Sequence, residues 1–169
     1  VDCSAFLGGI SNNYDTNLLL SDKSELTVIE ADEYDRSFHQ LHPWMAVVTS
    51  VDPDHLDIYH THEAYLESFA HFTSLICPGG SLVIKKGLPL KYKVNKYVKV
   101  YTYSATEKAD FYAENIRVGE GRLFFDFFRP GGKISDMELG VPVRINVENS
   151  VAAMAIDYLN GLDDETLRN

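Results

Sequence analysis

Two short apolar runs in this chain each break off into carboxylates, and that pattern narrows the folds open to it. The first reads Leu26-Thr27-Val28-Ile29-Glu30-Ala31-Asp32-Glu33-Tyr34-Asp35, and the second Val47-Val48-Thr49-Ser50-Val51-Asp52-Pro53-Asp54-His55-Leu56-Asp57. Short continuous apolar runs are the signature of strands covered on both faces, as in a parallel α/β sheet. Neighbouring strands of such a sheet deliver their terminal side chains to one edge, where ligands bind. Carboxylate oxygens with one imidazole at that edge suit a hard divalent cation such as Mg2+. Such a cation commonly accompanies a nucleotide phosphate.

The rest of the chain extends the pattern. Residues 5–10 read as a short strand running into a glycine turn, then a polar loop over 11–17 and an apolar run at 18–20. Residues 25–30 predict a buried strand, 38–41 a helical turn stopped by Pro43, and 44–51 a second buried strand. Thr61 is placed to cap a helix over 62–76, with Tyr65, Phe69, Phe72 and Ile76 on one stripe. Pro78-Gly79-Gly80 ends that helix, and another buried strand starts at Ser81. This alternation of strand and helix predicts a parallel sheet with flanking helices. After residue 97 the segments 98–103, 110–118, 122–128 and 133–139 are short, alternating and separated by turn-like glycines, which predicts antiparallel strands. Residues 146–159 return to helix, with Val147, Val151, Met154, Ala155 and Tyr158 on one face.

Composition bounds the function. At 169 residues and 45% hydrophobic, the chain can bury one sizeable core, and its length favours one domain. It opens on Val1 rather than Met, in what reads as ongoing structure, so we expect a piece of a longer protein. A net charge of −10 argues against broad nucleic-acid or anionic-membrane binding, which relies on clustered Lys and Arg. No apolar stretch approaches the ~20 residues that span a bilayer, and no secretory leader is visible. The two cysteines, Cys3 and Cys77, give neither a disulfide framework nor zinc spacing, which points to a reducing cytoplasm.

Each candidate residue has a plainer alternative. Glu30, at a strand end, can hold Mg2+, or the acids 32, 33 and 35 can simply be the first turn of a helix favoured by its dipole. Asp52 or Asp54 can cap a helix with Pro53 in its first turn, and His55 beside them is an uncommon Mg2+ ligand. His39, His42, His60 and His62 read as loop and helix-end residues rather than a zinc site. The phosphate-loop pattern G-x-x-x-x-G-K-[ST] is absent; Gly131-Gly132-Lys133-Ile134-Ser135 lacks the hydroxyl after Lys and predicts a hairpin turn. Asn146 is suited to cap the late helix, whereas Asn149 has no such evident task. An Asn amide offers a donor and an acceptor, which matches the edge of an adenine ring.

The acidic motif at Glu30–Asp35, Asp54-His55-Leu56-Asp57, and Asn146-Val147-Glu148-Asn149-Ser150-Val151-Ala152-Ala153 together resemble the Mur ligases in order and approximate spacing. These are the ATP-dependent amide-bond-forming enzymes of bacterial peptidoglycan synthesis. Glu30–Phe38, His42-Pro43-Trp44, and Gly8-Gly9-Ile10 with Asn17 are most similar to the branch that joins L-alanine to UDP-N-acetylmuramate. The resemblance covers essentially the whole chain. It implies the central, ATP-binding domain of a three-domain enzyme: α/β, a Rossmann-like parallel sheet with flanking helices plus a small antiparallel β-sheet. The phosphate loop would lie before residue 1, and the UDP-binding and amino-acid-binding domains would lie outside the chain.

The resemblance also implies roles: Glu30 and His55 as catalytic-site Mg2+ ligands, and Asn146 and Asn149 against ATP, with Asn149 on the adenine. Ile145 stands where relatives usually have His. Residues 62–76 lack the lysine that some members carbamylate, with Ala70 near its place, which fits the alanine-adding branch. The alternatives are the branch that recycles murein tripeptide onto the same UDP-sugar, and a non-catalytic α/β module that binds a partner through its acidic edge. Without its phosphate loop the chain alone is expected to show no turnover.

Overall fold

The computed structural model describes residues 2–119, 121–140 and 143–168. The chain divides into two compact units, Val1–Leu41 and His42–Asn169.

The first unit is a three-stranded sheet in the order β2-β1-β3, from β1 (Ser4–Ser11), β2 (Thr16–Leu19) and β3 (Thr27–Ile29). β1 and β2 are antiparallel, and the chain reverses between them with Asp15 in the left-handed region at φ 52°. β3 lies parallel to β1, with Ala5 beside Val28. The expected strand at 25–30 therefore exists but is not buried: Val28 is 56% and Ile29 45% exposed. Its β-branched composition favours a strand whether or not anything covers it, and β3 is an edge strand of a small sheet. A 3-10 turn at Tyr34–Gln40 follows, with the buried Phe38 inside it.

The second unit is built on one six-stranded sheet in the order β4-β5-β6-β7-β8-β9. Its strands are β4 (Met45–Val48), β5 (Ser81–Lys85), β6 (Lys99–Ser104), β7 (Phe111–Gly119), β8 (Arg122–Arg129) and β9 (Gly132–Leu139). β4, β5 and β6 are parallel, and β7, β8 and β9 are antiparallel to one another, as expected. The exception is 98–103: β6 pairs parallel on both sides, with β5 and with β7 at Tyr103–Phe111. Alternation encodes which face a residue takes, not the direction of the neighbouring strand. The antiparallel strands thus continue the parallel sheet, and β7 runs on past the carboxyl end of β6.

Two helices precede β5: the short α1 (Leu56–Tyr59), then α2 (His62–Ser74). Thr61 caps α2 as expected, its hydroxyl accepting from the Ala64 N–H at 3.1 Å, and Tyr65, Phe72 and Ile76 are buried. Gly80 sits where β5 starts against β4: a Cβ there would overlap the carbonyl oxygen of Trp44, which accepts from the Ser81 N–H at 3.0 Å. Pro130-Gly131 turns β8 into β9 with Gly131 at φ 84°, the predicted hairpin.

The long helix α3 (Arg144–Leu159) packs over β5, β6, β7 and β8. Val147, Val151, Met154 and Ala155 face the sheet and join Val83, Tyr103, Phe111, Phe125 and Phe127 in one core. Leu82 and Ile84 point to the opposite face of β5 and are buried too, so β5 is covered on both sides.

The antiparallel half carries two irregularities around one buried acid. The β7–β8 register shifts between Glu114 and Arg117, where Asn115 is left-handed at φ 55°. The β8–β9 register shifts between Phe125 and Phe127, opposite Asp136 at φ 59°. Asp126 ties both: its carboxylate accepts from the Asn115 amide at 2.8 Å, the Asp136 N–H at 3.0 Å and Lys133 Nζ at 3.2 Å. These bonds, the Asn115 amide first, hold its carboxyl below the ordinary aspartate range.

Candidate functional site

Glu30 follows directly on β3, and its N–H donates to the Phe6 carbonyl at 3.1 Å, extending the ladder by one residue. Its side chain turns back across β1, where Oε2 accepts from the Gly8 N–H at 2.8 Å. Gly8 leaves the space for this: a Cβ there would lie 2.5 Å from the carboxylate. The local helix start is served by another acid. Asp32 Oδ1 accepts from the Tyr34 N–H at 2.9 Å, and Asp32 O from the Phe38 N–H. Asp35 and Arg36 are both left-handed, so the turn is kinked rather than a regular first helical turn. The alternative of a dipole-favoured acidic turn therefore describes Asp32 and leaves Glu30 outside it.

His55 lies in the second unit, so it and Glu30 are each described in their own surroundings. It occupies the N-cap position of α1 in the left-handed region at φ 51°. The expected cap at Asp52 or Asp54 is absent. α1 starts only at Leu56, without a side-chain cap, and Pro53 precedes it rather than entering its first turn. Asp52 instead accepts from the Ser50 hydroxyl at 2.7 Å, and Asp54 Oδ1 from the His55 N–H at 2.7 Å. A non-glycine residue in the left-handed region is costly and concentrates where function fixes it. The His55 ring is one-third exposed, with Nδ1 3.8 Å from Asp54. Nearby, His62 Nε2 contacts the Val51 carbonyl at 3.0 Å, a structural bond at the start of α2.

Asn146 does not cap the late helix. α3 begins two residues before it, Val143 holds the N-cap position without a side-chain bond, and the Asn146 N–H donates to Val143 O at 3.0 Å. A helix can start on an uncapped residue when its apolar face is held by packing, as Val147 and Val151 are here. Asn146, Asn149, Ser150 and Ala153 recur at i, i+3, i+4 and i+7, and together with Leu139 and Gly140 they line one open hollow. Both asparagines thus stand on the face of α3 away from the core, Asn146 half-buried and Asn149 exposed.

A further pair, with no local signal in the sequence, lies behind this hollow. Lys85 Nζ, at the carboxyl end of β5, lies 2.8 Å from Glu148 Oε2 in the first turns of α3. The Glu148 side chain is only 13% exposed. Beside them the Tyr103 hydroxyl is fully buried, with no hydrogen-bond partner among the described residues. Burial first, and the Glu148 charge second, raise its ionisation far above the ordinary tyrosine range.

For a metal, the Glu30 carboxylate is a suitable hard donor. Among the described residues, however, no group of three or more His, Cys, Asp or Glu is assembled to hold an ion. No described helix is long and apolar enough to cross a membrane.

The Mur ligase middle domain profile matches residues 9–156. The UDP-N-acetylmuramate--L-alanine ligase of Parabacteroides distasonis is 64% identical over 99% of this chain. The enzyme of the same name from Flavobacterium psychrophilum is 40% identical over 98%. The chain spans 36% of the length of the first and 35% of the second. Among solved structures, UDP-N-acetylmuramate-alanine ligase from Thermotoga maritima superimposes with a TM-score of 0.79 at 21% identity, over 98% of this chain and 37% of that one. A UDP-N-acetylmuramate:L-alanyl-gamma-D-glutamyl-meso-diaminopimelate ligase from Neisseria meningitides gives 0.81 at 22%, over 98% of this chain and 55% of that one. The fold, the motif order and the profile match over most of its length agree: this chain belongs to the Mur ligase family.

Proposed function

We propose that this chain is the nucleotide-binding middle portion of an ATP-dependent ligase that joins L-alanine to UDP-N-acetylmuramate in peptidoglycan synthesis, acting in the cytoplasm. The observation that carries this reading is the 64% identity, over 99% of the chain, to a UDP-N-acetylmuramate--L-alanine ligase. The fold likeness alone does not separate the alanine-adding from the tripeptide-adding branch, since structures named for each superimpose equally well.

In this reading ATP phosphorylates the carboxylate of UDP-N-acetylmuramate, the amine of L-alanine attacks the acyl phosphate, and the tetrahedral intermediate expels phosphate. Asn149, on the exposed side of α3, reads the adenine edge through its amide, with Asn146 beside it in the same hollow. Glu30 and His55 are the residues of this chain that would hold Mg2+, whose charge offsets that of the transferring phosphoryl group. Glu30 is oriented for such a role by the Gly8 N–H. The cradle for the β- and γ-phosphates is not in this sequence, so the 169 residues alone lack turnover.

The test is ATP-dependent phosphate release by the full-length protein with UDP-N-acetylmuramate. L-alanine should support it and the murein tripeptide should not. Turnover with the tripeptide alone would move the protein to the recycling branch, and turnover with neither would leave a binding module.

A further inference from the structure

We propose that Lys85 and Glu148 are positioning residues for nucleotide recognition: their ion pair fixes the rotation of α3 and so aims Asn146 and Asn149 into the hollow. This rests on the reading above, in which that hollow receives the adenine.

Glu148 lies between the two asparagines in sequence but on another side of the helix. One residue advances an α-helix by about 100°, so Glu148 turns inward where Asn149 turns outward. Any rotation of α3 that withdraws Glu148 from Lys85 must therefore swing Asn149 along the hollow. Along the rest of this face α3 is held by packing. It has no side-chain cap at Val143, and its inward residues near the start, Val147 and Val151, are fully buried apolar contacts that fix no polar direction. A charged hydrogen bond at 2.8 Å to a side chain only 13% exposed is directional, and its partner stands on the rigid end of β5.

The site is also specific about what can replace the pair. Tyr103 pairs with Lys85 across β5 and β6, and its buried hydroxyl has no partner among the described residues. Without the Lys85–Glu148 bond, the Glu148 carboxylate would be left largely buried beside the Tyr103 phenol. It would have reason to turn toward solvent, carrying the first turns of α3 with it. Lys85 and Glu148 thus act on the nucleotide only through the helix; neither lines the hollow.

The experiment compares Glu148→Gln, Lys85→Met, their double variant and the reversed pair Lys85→Glu/Glu148→Lys in the full-length protein, with Asn149→Ala beside them. Binding of ATP and of GTP is measured by calorimetry, together with the ATP KM, kcat and Tm. Residues coupled in one network shift affinity by roughly two- to 150-fold, so Glu148→Gln and Lys85→Met should each weaken ATP binding about tenfold. GTP binding should change less, so the preference for ATP narrows, and kcat at saturating ATP should stay within about twofold. The double variant should be no worse than either single one, and the reversed pair should regain part of the affinity. A lowered Tm with unchanged ATP affinity and preference, alongside an Asn149→Ala variant that loses both, would overturn the proposal and leave the adenine reading standing. An Asn149→Ala variant that binds ATP normally would overturn both.

Discussion

The two units of this chain make strands from similar residues and treat them differently. In the first, Ala5 and Phe38 are the only buried apolar residues among those described, while Phe6, Ile10, Leu18, Leu20, Val28 and Ile29 are exposed. In the second, α3 and the six-stranded sheet close over Phe111, Phe125, Phe127, Val147 and Val151, all fully covered. The first is held by backbone ladders and local side-chain-to-backbone bonds, such as Ser4 Oγ accepting from Ser21 N–H at 3.1 Å and Ser21 Oγ from Lys23 and Ser24 N–H. The second is held by burial. Hydrogen-bonded sheets with little buried apolar surface open at lower free energy than a packed core. The proposed ligands divide accordingly, with Glu30 on the lightly packed unit and the asparagines on the rigid one.

The sharpest way to break that comparison is to truncate the same residue type in each unit. Phe125→Ala, in the middle of β8, should cost about 3–5 kcal/mol, because it removes a fully buried ring and leaves a cavity. Phe6→Ala, at a residue 49% exposed, should cost within about 0.5 kcal/mol. Equilibrium denaturation followed by the fluorescence of Trp44, the only tryptophan, reads the second unit directly. Equal losses for the two variants would show that the first unit depends on its apolar face as much as the second does on its core.

A glycine gives the next largest effect. Gly80→Ala would set a Cβ against the Trp44 carbonyl, which already accepts the Ser81 N–H, so β4 and β5 must part or shift. Forcing atoms into a well-packed contact costs about 1–3 kcal/mol, and this obstacle is backbone, so the loss belongs at the upper end. An unchanged midpoint would mean that the β4–β5 register is softer than its hydrogen bonds suggest.

How much of this was legible in the sequence follows the same division. The second unit is legible because burial writes periodicity: the stripe of Tyr65, Phe72 and Ile76, the Thr61 cap and the inward face of α3 all stand where the pattern sets them. Structure and pattern part where the pattern is silent. Val28 and Ile29 look the same covered or bare, and alternation in 98–103 could not say that β6 runs parallel to both neighbours. Asn146 has the right chemistry for a cap, but packing started α3 earlier. In the candidate site, the acid that serves the local turn and the acid that does not stand two residues apart, and only the fold separates Asp32 from Glu30. The Lys85–Glu148 pair joins distant segments whose ends read as ordinary surface charges, so no local signal announced it.

Acid should expose a further difference. The lowered pKa of Asp126 means the native state holds its carboxylate charged more firmly than the unfolded chain does. That stabilisation is fully present above the ordinary aspartate pKa of about 4 and is lost as pH falls through the lower native value. Asp126→Ala leaves the Asn115 amide and the Asp136 N–H without their acceptor and should cost about 1–3 kcal/mol at neutral pH. It should also flatten the acid limb of the stability profile, so that variant and parent converge toward low pH. A constant gap between the two profiles down to pH 2 would mean that the charge of Asp126 contributes nothing beyond its geometry.

The smallest expected effect lies in the first unit, where glycine substitutions meet no backbone. Gly9→Ala meets nothing within 4 Å and removes a glycine from the interior of β1, so it should be neutral or stabilise by a few tenths of a kcal/mol. Gly8→Ala differs only in what it meets: a Cβ 2.5 Å from the Glu30 carboxylate. That carboxylate is the far end of a flexible, exposed side chain, so it can swing aside where the Trp44 carbonyl could not. The cost in stability should stay within about 0.5 kcal/mol, the range of surface changes. The cost in function should be larger, because the carboxylate can no longer rest over β1 where the Gly8 N–H holds it at 2.8 Å. In the full-length protein we therefore expect Gly8→Ala to lower turnover at an almost unchanged Tm, and Gly9→Ala to change neither. Matched turnover in the two variants would detach the orientation of Glu30 from its proposed role. A matched fall in Tm would show instead that β1 is packed more tightly than its exposure implies.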